Sequence, residues 1–339
     1  MTRICIVPEV SSGGMEAFRL KFEDGLRARG IEVTHKPGFR SNAILVIGGT
    51  RRLLPLWWAR LLRKRIVQRL DGVNWVQRVR KSGLRYTLRA EYGNSLLAYI
   101  RNRVADRVVY QSEFIRDWWE DWYGVAPVPG HVILNGVDLN RYVPRSNENT
   151  VPRYPPYRIL LVEGSLAGGL DTGLKAAVRL AEILSKQFTV ELNIAGKVDA
   201  GFKESLEKGN KRGVKILGLV PREEIPDLMR SSHLLFSAEI NPPCPNSVIE
   251  ALACGLPVVG FDTGSLYELL GDHAGRLVPY GGDPWMLEPP DVPTLAKAAA
   301  EILVGQSRFR SAARARAEEI FNVDRMVDEY LKVLLDTYH

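Results

Sequence analysis

Short runs of β-branched and aliphatic residues alternate along this chain with amphipathic stretches of helical spacing. That alternation predicts parallel sheets covered by helices on both faces. In the first half, strands are expected at residues 3–8, 31–35, 43–47, 65–70, 107–111 and 131–134. A first helix is predicted from about 14 to 29, because Met15, Phe18, Phe22 and Leu26 share one face and Gly30 supplies a stop. A second helix should cover 86–104. A third follows Ser112, a good N-cap residue, with Phe114, Trp118 and Tyr123 as its apolar positions. Residues 143–157 hold four prolines and little apolar content, the composition of a linker. A second strand–helix series follows, with strands at 158–163, 189–195, 214–217, 233–237, 257–261 and 275–279. Its helices are expected at 173–186, 221–230 and 246–254, and an amphipathic helix at 324–338 ends the chain.

A length of 339 residues suits two such α/β domains of about 150 residues each. No apolar run approaches the roughly 18–20 residues of a membrane-spanning helix, and the first residues lack the apolar core of a secretion signal. Cys5, Cys244 and Cys254 form neither a disulfide framework nor a spaced metal site, so a reducing cytoplasm is expected and a metal is not. Charge changes the picture more. Residues 1–145 carry 25 Lys/Arg against 13 Asp/Glu, whereas the remainder carries 21 against 26. The two halves are therefore expected to meet different partners. Residues 51–69 contain seven Lys/Arg, no acid and the pair Trp57-Trp58. A basic helix with interfacial tryptophans suits an anionic membrane surface. The same residues also fit a solvated helix whose tryptophans pack inward. Nucleic acid is not expected, because no recognition motif accompanies the charge.

The sharpest segment spans residues 241–264 and reads Asn241-Pro-Pro-Cys-Pro-Asn-Ser-Val-Ile-Glu250-Ala-Leu-Ala-Cys-Gly-Leu-Pro-Val-Val-Gly-Phe-Asp-Thr-Gly264. Its prolines bring the chain in extended, and Asn246 or Ser247 can cap a short helix that ends at Gly255. The amides of such a helix start suit a diphosphate, and Glu250, one turn on, can accept hydrogen bonds from a ribose diol. A capped α/β connection with a surface Glu fits the same residues.

This segment resembles the donor-binding region of the retaining GT-B glycosyltransferases of family 4. Glu250 matches the carboxylate that in this family holds the nucleotide ribose, and Ala251, Gly255, Pro257 and Val258 match its frame. Asn135-Gly136-Val137-Asp138, Ala105-Asp106-Arg107-Val108-Val109 and Gly13-Gly14 resemble other stations of the family fold. The resemblance implies an α/β GT-B fold in which two Rossmann-like domains face a central cleft. They would be an acceptor domain at 1–145 and a donor domain at 158–321, joined by a linker at 146–157. A C-terminal helix at 322–339 would return to the first domain. It also implies a nucleotide-diphosphate sugar as co-substrate, no metal, and a glycan or lipid-linked acceptor. Retention in this family is thought to need no protein nucleophile, because the departing phosphate takes the acceptor proton. The protein would then be cytoplasmic, or peripheral on the inner face of the membrane.

Two positions depart from the family pattern. Pro242 stands where the family has a carboxylate facing the transferred sugar. In Glu163-Gly164-Ser165-Leu166-Ala167-Gly168-Gly169, Ser165 replaces the family's Arg, and glycine stands where its Lys should be. Lys197, at a strand end, and Arg69, from the other domain, are candidate replacement cations. The candidate donor set is Gly14, Gly164, Ser165, Lys197, Gly218, Asn246, Ser247 and Glu250. Gly13, Arg69 and Asp71 form the acceptor side, with Asp71 beside the strand end at Leu70 positioned to orient or deprotonate a hydroxyl. Catalytic roles fall to Asp71 and Glu250. The departures also allow a GT-B-like binding or scaffold protein with little or no activity, and a nucleotide-sugar epimerase is a third reading.

Overall fold

A computed structural model describes residues 2–10, 13–38, 40–80, 83–145, 155–165, 171–209 and 213–335. They form two compact units, Met1–Gly136 with Val323–His339, and Val137–Asn322.

The first unit is built on six parallel strands: β1 Arg3–Val7, β2 Glu32–Thr34, β3 Ala43–Ile47, β4 Arg65–Leu70, β5 Arg107–Tyr110 and β6 Gly130–Val132. They lie in the order β2-β1-β3-β4-β5-β6. Alternate residues of each strand enter opposite cores, as strand geometry requires. Ile4, Ile6, Leu45 and Ile47 meet Phe18 and Phe22 of the helix Gly13–Ala28, while Cys5, Val7, Ile44 and Val46 meet Leu56 and Ala59 of the helix Leu53–Leu61. Gly30, at φ +69°, stops the first helix as its sequence predicts. The third helix is Glu113–Tyr123, with Ser112 Oγ accepting from the Ile115 amide at 3.2 Å. Its buried face is Ile115, Trp118 and Trp119, and Phe114 and Tyr123 are only half-buried. The inward stripe thus runs through Ile115, Trp118 and Trp119, of which only Trp118 is among the positions the pattern suggests.

The C-terminal helix Val323–Leu335 belongs to this first core. Tyr330 is fully buried between Phe18 and Phe22, with ring centroids 5.1 and 5.3 Å away. Met326, Val327, Val333 and Leu334 are buried with it, each contributing about 1.5–3 kcal/mol on transfer from water. Residues 336–338 of the expected helix lie outside the described residues.

The second unit repeats the plan with β7 Tyr157–Ser165, β8 Val190–Lys197, β9 Val214–Gly218, β10 Leu234–Phe236, β11 Val258–Phe261 and β12 Gly275–Val278. These six strands are parallel and ordered β12-β11-β10-β7-β8-β9. The helices Asp171–Leu184 and Val292–Val304 cover one face, against Ile159, Leu161, Ile194 and Phe236. A helix expected at 221–230 is seen only as Ile225–Arg230, since Pro226 is tolerated in a first turn but not within a helix.

One boundary moves. The first unit ends at Gly136, not at 145. From Val137 on, the chain bonds to the second unit. The Val137 amide donates to Phe321 O at 2.7 Å, and Arg314 donates to Tyr142 O at 2.8 Å. The proline-rich stretch is thus preceded by an ordered segment of the second unit, and its residues 146–154 lie outside the described set.

Candidate functional site

In the second unit β7 lies mid-sheet, with β8 and β9 on one side and β10, β11 and β12 on the other. Strand order therefore reverses between β7 and β10, and open parallel sheets bind ligands beyond the carboxyl ends of their strands at such a point. The donor candidates collect on this edge. Gly164 and Ser165 end β7, Lys197 ends β8 and Gly218 ends β9. Ser165 and Lys197 are register partners, so the exposed Lys197 stands beside the backbone position that lacks the expected Arg. Gly218, at φ +72°, faces open space. Gly168 and Gly169 lie outside the described residues.

The helix Asn246–Ala253 starts on the same edge. Its N-cap is Pro245, in an extended conformation, and no side chain caps it. The expectation that Asn246 or Ser247 would cap is corrected: both residues already lie inside the first turn, because Pro245 holds the preceding extended step. The first turn of a helix lacks intrahelical acceptors for its amides, and here no side-chain cap intervenes. Glu250 follows one turn later, 9% exposed. Its charge, after burial, helps push up the Tyr142 hydroxyl pKa. Burial likewise raises the Cys254 thiol to about 12, with Glu250 adding to the effect.

Between β10 and this helix the chain is tightly constrained. Asn241 adopts φ +53°, a left-handed conformation that Asn accepts more readily than most residues. Pro242 lies against Gly264, whose φ is +61° and where any Cβ would overlap the Pro242 backbone. The Ser265 amide donates to Pro242 O at 2.9 Å. Asn241 Nδ2 and Ser265 Oγ are buried without a protein partner, a state that calls for a structural or functional reason. Sequence reading missed Asn241; an Asn at a strand exit just before a Pro-Pro pair was its only signal.

A second feature was visible only as composition. Glu163, near the end of β7, is held well above the usual carboxylate range, by burial first and by the charge of Glu239 second. A group whose pKa is raised in the folded state stabilises that state at low pH and loses the contribution as pH rises through the raised value. The second unit should therefore become less stable as pH climbs above the ordinary glutamate value of 4.5. Glu163→Gln should flatten that decline. Urea unfolding of both proteins between about pH 5 and pH 9 checks this, and parallel curves would refute it.

In the first unit, strand order reverses between β1 and β3. Gly13 and Gly14 open the helix after β1, Gly13 at φ +72° with open space around it. Asp71 follows β4 and forms a network with the ends of the neighbouring strands. Arg69 Nη1 donates to Asp71 Oδ1 at 2.6 Å, and its Nη2 donates to Gln111 Oε1 at 2.6 Å and Asn135 Oδ1 at 2.9 Å. Gln111 Nε2 also donates to Asp71 Oδ1, and Trp119 Nε1 donates to the Asp71 carbonyl at 2.8 Å. The Arg69 guanidinium lies 4.0 Å from the Phe18 ring centroid. Arg69 is 1% exposed. That corrects its candidacy as a cation for a diphosphate, because its charge is committed to Asp71 inside its own unit. Asp71 keeps 29% of its side chain exposed.

Among the described residues no group of three or more His, Cys, Asp or Glu is arranged to hold a metal ion. None of the described helices is long and apolar enough to cross a membrane.

Comparison with known proteins bears on both units. Residues 158–304 match the family model described as glycosyl transferases group 1, and residues 50–141 match that of glycosyltransferase family 4. A 2-deoxystreptamine N-acetyl-D-glucosaminyltransferase of Streptomyces fradiae is 26% identical over 120 residues. That match covers 33% of this chain and 26% of the relative, so it spans about a quarter of the relative's length. Among solved structures, sucrose-phosphate synthase from Thermosynechococcus elongatus superposes with a TM-score of 0.74 at 15% identity, over 100% of this chain and 99% of that one. HepE of Anabaena in complex with UDP-glucose gives 0.71 at 16% identity, over 99% and 100%. WaaG, a glycosyltransferase involved in lipopolysaccharide biosynthesis, gives 0.70 at 15% identity, over 100% of both chains. At such identities the likeness speaks for the fold, and the fold is GT-B.

Proposed function

This chain belongs to the glycosyltransferases of group 1 and family 4, and from that premise we propose a retaining, metal-independent transfer of a sugar from a nucleotide-diphosphate sugar to a glycan or lipid-linked acceptor. The observation that supports the reading is the Ser165–Lys197 register pair, in which Lys197 stands beside the position where the family pattern has an Arg. Lys197 and the first-turn amides at 246–248 would balance the leaving diphosphate, the largest charge the reaction develops. Glu250 would accept from the ribose diol. Burial and the charge of Glu239 raise the Glu163 pKa well above the usual carboxylate range, and in its protonated form Glu163 would donate a hydrogen bond where a second carboxylate would repel the donor. On the acceptor side, Gly13 leaves room for close approach, and Asp71 would orient the acceptor hydroxyl through Oδ2. The departing phosphate oxygen would take the acceptor proton. HepE was solved with UDP-glucose and the Streptomyces relative is named for N-acetylglucosaminyl transfer, so UDP-sugars are the first donors to try.

Pro242, wedged against Gly264 in the place of the sugar-facing carboxylate, favours a second reading, a protein that binds donor without turning it over. Calorimetric titration with UDP-, GDP- and ADP-sugars, followed by an assay for nucleotide release, separates the two. Binding that weakens in Glu250→Ala is expected from both, and release only from the enzyme. Absence of binding by every nucleotide-sugar at millimolar concentration would sink both.

A further inference from the structure

The loop that leaves β10 at Phe236 and enters the helix Asn246–Ala253 runs along the carboxyl edge of the second sheet, beside β7 where strand order reverses. It is clamped from two sides. Gly173 of the helix Asp171–Leu184 lies so close to Ala238 that any Cβ would overlap the Ala238 carbonyl, and Gly264 bears on Pro242 in the same way. The Ser265 amide adds its bond to Pro242 O. In so fixed a frame, buried polar groups find partners. Asn241 Nδ2 and Ser265 Oγ, on either side of Pro242, have none among the described residues. Asn241 is 4% exposed and Ser265 is fully buried. Asn241 also sits at φ +53°, where glycine costs least. Ser265 stands at the N-cap of the short helix Leu266–Leu270 but makes no capping bond. Burying a polar group without a partner is costly, and two such costs side by side point to a ligand that removes them.

The loop leads directly into the helix start assigned to the diphosphate, so the sugar attached to that diphosphate falls on it. A sugar hydroxyl has a proton to place as well as lone pairs to offer. Pro242 brings no carboxylate to take that proton. An amide carbonyl has two lone pairs and no proton, and so matches one N–H and one O–H. The Asn241 amide turns about χ2, a soft torsion in this residue, and the Ser265 hydroxyl rotates to suit. A sugar carboxylate would match them too, but Glu239, two residues before Asn241, already opposes the ionisation of Glu163 with its charge. A neutral carbonyl escapes that repulsion.

We propose that Asn241 and Ser265 select the donor sugar by donating to the carbonyl oxygen of an acetamido substituent, so that the chain takes an N-acetylhexosamine in preference to a plain hexose. The inference rests on the donor reading above and narrows it to one class of sugar.

Calorimetry on the full chain tests it. Titration with UDP, GDP and ADP selects the nucleotide. Its glucose and galactose conjugates are then compared with their acetamido counterparts and with the glucuronic acid conjugate. For at least one of the two hexoses the acetamido form should bind roughly tenfold tighter or more, about the worth of two hydrogen bonds between neutral groups. Asn241→Gly keeps the backbone, since glycine takes φ +53° without strain. That variant and Ser265→Ala should each cut the preference at least about threefold while binding the nucleotide alone as wild type does. Glu250→Ala, by contrast, should weaken nucleotide and conjugates alike. Ser265→Ala removes a group with no partner to lose, so its melting midpoint should not fall. Equal binding within both pairs would overturn the proposal and leave the donor reading standing. A preference that survives both variants would overturn it as well. So would a lower midpoint in Ser265→Ala with the preference intact, which would make the hydroxyl structural. Tighter binding of the glucuronic acid conjugate than of either acetamido sugar would overturn it in favour of an anionic donor. If none of the nucleotides binds, the donor reading itself fails and takes this inference with it.

Discussion

Arg69→Met is expected to destabilise the first unit by about 3 kcal/mol, the cost of removing one partner from a buried charged network. Methionine fills much of the same volume over Phe18, so the loss reports on the guanidinium. Without it, Gln111 Oε1 and Asn135 Oδ1 lose a buried donor and Asp71 loses its counter-charge. In a unit of about 150 residues that corresponds to a fall in Tm of roughly 6–12 °C. Thermal and urea unfolding measure it. A variant within about 0.5 kcal/mol of wild type would show that the network is dispensable. A variant of normal stability but weakened donor affinity would return Arg69 to the role of diphosphate ligand. Asp71→Asn should be milder in stability, since that side chain is partly exposed. It should lower turnover while leaving donor affinity unchanged; unchanged turnover would remove Asp71 from the mechanism.

Lys197→Met is expected to weaken binding of the nucleotide-diphosphate sugar by roughly tenfold to a hundredfold, the worth of one charge-assisted contact. Uridine, which carries no phosphate, should bind both proteins alike. The contrast between the two ligands carries the inference, because general damage to the unit would weaken both. Calorimetry with each ligand decides it. If Lys197→Met binds the diphosphate sugar as wild type does, the cation comes from elsewhere or the diphosphate rests on amides alone.

The legible part of this protein is what local periodicity encodes. Strands such as β3, hydrophobic at every position, announce a sheet buried on both faces, and Ser112 and Gly30 mark helix ends through their own backbone chemistry. The run at 241–264 points to the donor edge because its prolines and glycines fix a loop–helix–strand geometry in consecutive residues. What escaped depends on residues far apart in the chain. Arg69 reads as a strand-end cation until Gln111 and Asn135, 42 and 66 residues away, are placed around it. Lys197 is legible as a strand-end cation, but its place beside Ser165 emerges only from the β7–β8 register. Glu163 and Glu239 form a carboxyl pair only because β7 and β10 lie side by side. The boundary at Gly136 was misplaced because proline content marks a stretch of poor packing, whereas the unit boundary depends on which partners the preceding backbone finds.

The placement of the helix Val323–Leu335 has a consequence for how the protein is made. Its Tyr330 completes a core whose other rings, Phe18 and Phe22, leave the ribosome some three hundred residues earlier. In sequence the second unit is therefore a guest inserted within its host, and Val137 and Asn322, where the chain enters and leaves that guest, pair side by side in a β-bridge. During synthesis the guest can close its own sheet first, while the host waits with an apolar groove open until the last helix arrives. The order of folding thus runs against the order of the sequence, and the half of the protein translated first is the half finished last.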